Sequence, residues 1–226
     1  MKKGKTNYFA PFEPAEFYHV YNRTNNKEPL FLDDADREVF LKKYAEYLAP
    51  FVHTFAYCLL GNHFHLLIAV KTEVEIVAAL EQLPKSERSV VQKEFLIASE
   101  SERSIEKVVS AQFSRLFISY AVSFNNKWKR SGNLLHRPFK RVLVQNDDHL
   151  VWLVYYINSN PRKHKIRMDF ENYPWSSFLA LASDKPTNLN RQNVHYWFGG
   201  WEAFLKFHFN SKVIPGDFQY LELEDE

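Results

Sequence analysis

The chain has 226 residues, 46% of them hydrophobic, which is enough for one domain with a substantial core and an appendage. Its single cysteine, Cys58, excludes a disulfide framework and favours a reducing compartment, so we expect a cytoplasmic location. The formal net charge is only +2, so the distribution of charge along the chain is more informative than its sum. No run of about 18 apolar residues occurs, and no apolar segment follows the basic N-terminus, so we expect neither a membrane span nor a signal peptide.

The first seventy residues predict a strand, a helix and a hairpin. Residues 16–23, "EFYHVYNR", alternate in polarity and are rich in strand formers, which predicts a strand. Residues 33–50 begin with an aspartate cap and end at Pro50, which predicts a helix. Residues 51–60 and 63–70 predict two strands joined at Gly61 and Asn62.

The next hundred residues predict two amphipathic helices on either side of a strand. Residues 71–107 are charged and weakly periodic, and we interpret them as an insertion of short helices and a mobile loop. Residues 108–128 carry an apolar stripe at helical spacing that includes Tyr120. Residues 139–146 predict a strand, and residues 147–160 predict a helix that stops before Pro161.

This order of elements indicates an α+β fold. It matches the ferredoxin-like split βαβ pattern, an antiparallel sheet, with one helix added after the last strand. We expect residues 1–170 to form this domain and residues 171–226 to be a C-terminal extension packed on it.

Two histidines stand one residue apart in the strand "HFHLLIAV". Side chains alternate along a strand, so His63 and His65 share one face and Phe64 points to the other. Imidazoles spaced by about 7 Å at Cα can converge on one divalent ion. Two ordinary strand histidines on a solvated face are the alternative, but the apolar flanks on both sides predict a central strand.

A tyrosine and an amide share one face of the predicted helix at residues 147–160. Tyr156 and Asn160 lie one turn apart, while Tyr155 is rotated to another flank. The Asn160 oxygen is a hard donor that suits Mg²⁺ or Mn²⁺, and the Tyr156 hydroxyl beside a metal-bound phosphate is a candidate nucleophile. A half-buried aromatic residue with no chemical role is the alternative interpretation of Tyr156.

Basic residues are concentrated in two segments. Residues 127–141 carry six Lys and Arg and no acid, and residues 162–167, "RKHKIR", add four more. Aromatic residues and His136 are interleaved in the first segment, which suits phosphate contact with base stacking rather than only a solvated face. The last six residues, "LELEDE", are acidic.

Five motifs in one order resemble the REP-associated tyrosine transposases and, more broadly, the single-tyrosine HUH transposases. They are "FYHVYNRTNNKEPLF", "GNHFHLLI", "SGNLLHRPFKR", "YYINSNPRKH" and "YPWSSF", and they span residues 16–180. The segment from about 75 to 107 is longer than the family pattern, and Tyr155 is an additional tyrosine beside the family's position.

The resemblance implies metal-dependent nicking and strand transfer on single-stranded or hairpin DNA through a 5′-phosphotyrosine. It places the nucleophile on Tyr156 and the ligands of Mg²⁺ or Mn²⁺ on His63, His65 and Asn160. His19 is a candidate for supporting a ligand or moving a proton, and a solvated strand residue is the alternative. Candidate DNA contacts are Arg137, Lys140, Arg141, Arg23 and Asn22. We expect DNA as the partner and no association with a membrane. A homodimer is compatible with these expectations.

Two rival functions differ in what they require. A non-catalytic module of the same fold that binds DNA hairpins or RNA needs the basic surface but not His63, His65 and Tyr156 together. A zinc hydrolase needs three firm protein ligands and a nearby carboxylate base, and no such pattern occurs in the sequence.

Overall fold

The computed structural model describes residues 6–211 and has a four-stranded antiparallel sheet at its centre. The strands are β1 (Phe17–Arg23), β2 (Val52–Leu59), β3 (His63–Val70) and β4 (Lys140–Leu143), in the spatial order β2-β3-β1-β4. The helices are α1 (Asp34–Leu48), α2 (Glu73–Gln82), α3 (Val90–Ile97), α4 (Ile105–Trp128), α5 (Asp147–Lys163), α6 (Phe178–Leu181), α7 (Arg191–Phe198) and α8 (Trp201–Asn210). The predicted α+β class is confirmed, and β3 is a central strand as expected.

Two cores lie on opposite faces of this sheet. On one face, α1 and α4 pack on Phe64, whose ring centroid lies 5.0 Å from that of Phe40 and 5.7 Å from that of Phe117. On the other face, α5 and the following helices cover Leu67 and Ala69. The helix added to the ferredoxin-like pattern therefore covers the sheet face that carries the histidines.

Residues 71–107 contain α2 and α3, which confirms the short helices predicted for this segment. Each helix begins with a capping box, at Thr72 and at Ser89. Ile76, Leu80 and Phe95 are buried and join the core under α4. Apolar burial thus anchors this segment to the domain.

Helix α5 continues through Pro161 to Lys163, so the predicted stop before the proline is wrong. Proline removes one backbone donor and normally disrupts a helix interior, but here it stands in the last turn. The Pro161 carbonyl accepts hydrogen bonds from the amides of Ile166 (2.9 Å) and Arg167 (3.1 Å) beyond the helix. The chain therefore closes the helix after the proline rather than before it.

Both outer strands are covered by other parts of the chain. Along β4, the Arg141 amide donates to the Tyr8 carbonyl at 2.9 Å. Along β2, Leu59 donates to Trp175 at 2.9 Å, and the amide of Ser177 donates to Tyr57 at 2.8 Å. The described part of the C-terminal extension therefore packs against the domain and covers the outer edge of β2.

A buried polar chain links the extension to α5. The Ser177 hydroxyl donates to the Asn158 Oδ1 at 2.6 Å, and the Asn158 Nδ2 lies 3.3 Å from the His208 Nε2. His208 is fully buried, and this burial lowers its pKa to about 4. A neutral imidazole therefore joins α8 to the middle of α5.

We expect Tyr120→Phe to lower the free energy of unfolding. The Tyr120 hydroxyl is buried and donates to the Leu30 carbonyl at 2.6 Å, and loss of such a bond costs about 1–2 kcal/mol. Urea denaturation followed by circular dichroism measures the change. Tyr196→Phe is the control, since Tyr196 is 82% exposed, and a change of equal size in both variants would contradict the assignment.

Acidification should destabilise the fold through His208. Its folded pKa of about 4 lies below the ordinary value of 6.5, so the unfolded state binds the proton first as pH falls. The stabilisation is therefore present above about pH 6.5 and decreases towards pH 4, by about 2 kcal/mol between pH 7 and pH 5. Urea denaturation at both values measures the loss, which should be smaller in His208→Gln; an unchanged loss in that variant would refute the assignment.

Candidate functional site

His63 and His65 lie on one face of β3, as the alternation of the strand predicts. Phe64 between them is fully buried in the opposite core. The two imidazole rings have centroids 5.2 Å apart and are nearly perpendicular, with an interplanar angle of 89°. The pair thus occupies the face that α5 covers.

Hydrogen bonds at Nδ1 orient both rings. The His65 Nδ1 lies 3.0 Å from the Nε2 of His19 on the neighbouring strand, and both residues are buried. The His63 Nδ1 lies 2.7 Å from the Asn62 Oδ1. Because the amide oxygen can only accept, His63 carries its proton on Nδ1 and presents a lone pair at Nε2. His65 presents the same nitrogen to a metal when its Nδ1 donates to His19, which is how supporting groups orient metal-ligating histidines.

Helix α5 places Tyr156 against these histidines. Its ring centroid lies 5.4 Å from that of His65 and 5.9 Å from that of His19, both in edge-on geometry. Tyr156 is only 1% exposed, and the Lys163 ammonium lies 4.9 Å from its ring centroid. The aromatic ring is therefore close to the histidines and covered from solvent.

Tyr155 points away from the histidines, as its rotation around the helix predicts. Its hydroxyl donates to the Ser211 carbonyl, and its ring packs on Phe207 and His208 of α8. Burial raises the pKa of the Tyr155 hydroxyl above its ordinary value. The structure thus gives Tyr155 a packing role.

Asn160 follows Tyr156 by one turn and is fully buried. Its Nδ2 donates to the Tyr156 carbonyl at 3.1 Å. Within residues 6–211 its Oδ1 accepts no hydrogen bond, which for a buried polar atom costs about 1–3 kcal/mol. An amide oxygen held in this way can serve as a ligand for a hard cation.

The candidate donors are of two types, because imidazole nitrogen suits transition metals and an amide oxygen suits Mg²⁺ or Mn²⁺. In the described part of the chain, no group of three or more His, Cys, Asp or Glu side chains is arranged to hold a metal ion. Two imidazole nitrogens and an amide oxygen form a mixed set with few strong ligands, and ions that retain several waters accept such a set.

A cavity of about 370 Å³ opens beside the two histidines. Among the lining residues in the described range 6–211, no Asp or Glu is present, and Tyr156 is not one of them. The basic and imidazole side chains that line it are Arg23, Lys27, Arg137, Lys140, His63, His65, His136 and His164. With Phe9 and Tyr21 also on its wall, the cavity suits a phosphate and an aromatic base.

Four of the five predicted DNA contacts meet at this cavity, namely Arg23, Asn22, Arg137 and Lys140. The Asn22 amide is also structural, because its Nδ2 donates to the His136 carbonyl at 3.1 Å.

Arg141 lies elsewhere. It follows Lys140 on β4 and therefore faces the opposite core, where it forms an ion pair with Glu106 at 2.7 Å and stacks on Phe12. The structure thus separates Arg141 from the site, because one step along a strand reverses the face.

Sequence reasoning missed His164, Lys27 and Phe9 as cavity residues. The His164 and His63 ring centroids lie 4.7 Å apart. A signal existed for His164, since it follows Tyr156 by eight residues and shares its helix face. No signal at the sequence level places Phe9 there, because its position depends on the pairing of the N-terminal segment with β4.

Comparison with known proteins identifies the fold. No protein-family model matches the chain, and no curated protein matches it by sequence. A solved structure, that of the REP-associated tyrosine transposase bound to a REP hairpin, is similar with a TM-score of 0.51 and 14% identity. The similarity covers 80% of this chain and 89% of that one. At this identity it shows a shared fold, which confirms the fold expected from the sequence motifs.

No helix in the part of the chain from residue 6 to residue 211 is both long enough and apolar enough to span a membrane.

Proposed function

We propose that this protein is a tyrosine transposase of the HUH type that cuts and rejoins single-stranded or hairpin DNA. The observation that carries the proposal is the contact of Tyr156 with the His19–His65 pair beside a cavity whose described lining has basic residues and no carboxylate. The shared fold with a transposase bound to a DNA hairpin supports it.

His63, His65 and Asn160 would hold a divalent ion, which when bound supplies positive charge to a scissile phosphate. His19 would keep the His65 ring in the orientation that ligation needs. Arg137 and Lys140 would neutralise flanking phosphates in the cavity.

Tyr156 is the nucleophile in this proposal. Its phenol loses a proton, its oxygen forms a bond to phosphorus, and the bond from phosphorus to the 3′ oxygen breaks. The products are a 5′-phosphotyrosine and a free 3′-hydroxyl, so a second 3′-hydroxyl can reverse the step without ATP. Since the Tyr156 ring is covered, this attack requires the end of α5 to rearrange when DNA binds.

The same burial favours a second candidate, a DNA-hairpin- or RNA-binding module that does not cut. Tyr156 is 1% exposed and lies outside the cavity lining, as expected of a core residue. The module would use Arg137 and Lys140 but would need neither a metal nor the Tyr156 hydroxyl.

We expect Tyr156→Phe to bind a single-stranded oligonucleotide normally and to form no covalent adduct. Removal of one hydroxyl eliminates the nucleophile and leaves the cavity unchanged. A labelled oligonucleotide is incubated with the protein and Mn²⁺ and analysed on a denaturing gel, with Tyr155→Phe as the matched control that still forms the adduct. Binding without an adduct in the wild type would favour the non-cutting module, and an adduct that survives in Tyr156→Phe would exclude this nucleophile.

Metal binding should depend on His63 and His65. We expect the double variant to alanine to lose Mn²⁺ binding in a titration calorimeter while retaining its circular dichroism spectrum. His19→Ala should weaken binding by about 10–100-fold, since it removes a group that orients a ligand. His53→Ala is the control, because His53 lies on β2, pairs with Glu75 of α2 and does not line the cavity. Wild-type Mn²⁺ affinity in the double variant would place the metal elsewhere.

A further inference from the structure

Three lysines occupy left-handed backbone conformations, Lys27 (φ 56°), Lys129 (φ 52°) and Lys165 (φ 55°). Glycine adopts this conformation without penalty, whereas a residue with a Cβ atom is destabilised there. Backbone conformations of this kind are frequent at ligand-binding sites, so the position of each lysine relative to the histidine cavity is informative.

One of the three lines the histidine cavity, and a second is bonded to a residue that lines it. Lys27 lines it directly, at the end of the short 3-10 turn Asn25–Lys27. Lys165 immediately follows His164, which lines the same cavity and contacts His63. Lys129 instead ends α4 and is not among the residues that line the cavity.

The ammonium groups of Lys27 and Lys165 are available to a ligand. Both residues are exposed, and neither ammonium forms a hydrogen bond or ion pair with any residue from 6 to 211. Two other cations near Lys165 are already engaged. Arg162 lies 4.4 Å from the Phe170 ring centroid, and Arg167 pairs with Asp169 at 3.0 Å.

We propose that Lys27 and Lys165 bind separate phosphates of one nucleic-acid strand, so that this strand crosses the cavity from Lys27 to Lys165. This inference rests on the proposed function and adds the path of the substrate. The positive charge of the cavity lining, to which Lys27 contributes, matches a polyanion, and Lys165 adds a further cation next to His164.

Substitution by glycine tests this path because it removes the charge and relieves the backbone. We expect Lys27→Gly and Lys165→Gly either to leave the melting temperature unchanged or to raise it by at most about 2–4 °C. Each should weaken binding of a fluorescein-labelled single-stranded oligonucleotide several-fold in an anisotropy titration. Each should also reduce the slope of log affinity against log salt concentration by about 0.7, the value for one lost phosphate contact on a single strand.

Lys129→Gly is the matched control, with the same backbone conformation and the same loss of charge away from the cavity. Lys165→Arg should have the salt slope of the wild type. The double variant with Lys27→Gly and Lys165→Gly should have a slope reduced by the value for about two phosphate contacts. If Lys27→Gly and Lys165→Gly reduce the slope no more than Lys129→Gly, while the wild type binds the oligonucleotide, the path is wrong and the proposed function stands. If the wild type binds no oligonucleotide at any salt concentration, the proposed function and the path both fail.

Discussion

Successive side chains along β3 point to opposite faces of the sheet, so the register of this strand decides which residues reach the candidate site. Helices cover both faces of β3, and each face has a different set of side chains. Phe64 and its apolar neighbours pack on α1 and α4, while His63 and His65 face α5. A shift of one residue would exchange the two sets and bury two imidazoles among phenylalanines.

The second requirement is that α5 crosses the histidine face with a fixed rotation. Two hydrogen bonds tie this helix to the extension. The Tyr155 hydroxyl donates to the Ser211 carbonyl, and the Ser177 hydroxyl donates to the Asn158 Oδ1. These contacts leave Tyr156 as the residue that meets His19 and His65. The described part of the extension, up to residue 211, thus helps to set the position of the candidate nucleophile, and none of its residues lines the cavity.

The sequence predicted the features that depend on local periodicity. The order of strands and helices, the shared face of His63 and His65, and the rotation of Tyr155 away from Tyr156 follow from periods of two and 3.6 residues. Features that depend on register or on distant contacts were not predictable. The alternation of a strand already places Lys140 and Arg141 on opposite faces, but which of the two faces the cavity depends on how β4 pairs with β1 and on what packs there. The end of α5 was placed too early because the closing hydrogen bonds at Pro161 come from residues beyond the helix.

The covered strands β2 and β4 have a consequence for assembly. An exposed strand edge can recruit a second chain through backbone hydrogen bonds, which is a common route to aggregation and strand exchange. Here Tyr8 occupies one edge, and Trp175 and Ser177 occupy the other. Two copies of this chain therefore cannot join their sheets into one without first displacing a segment of their own. Removal of the N-terminal segment or of the extension would expose unpaired backbone groups of an outer strand.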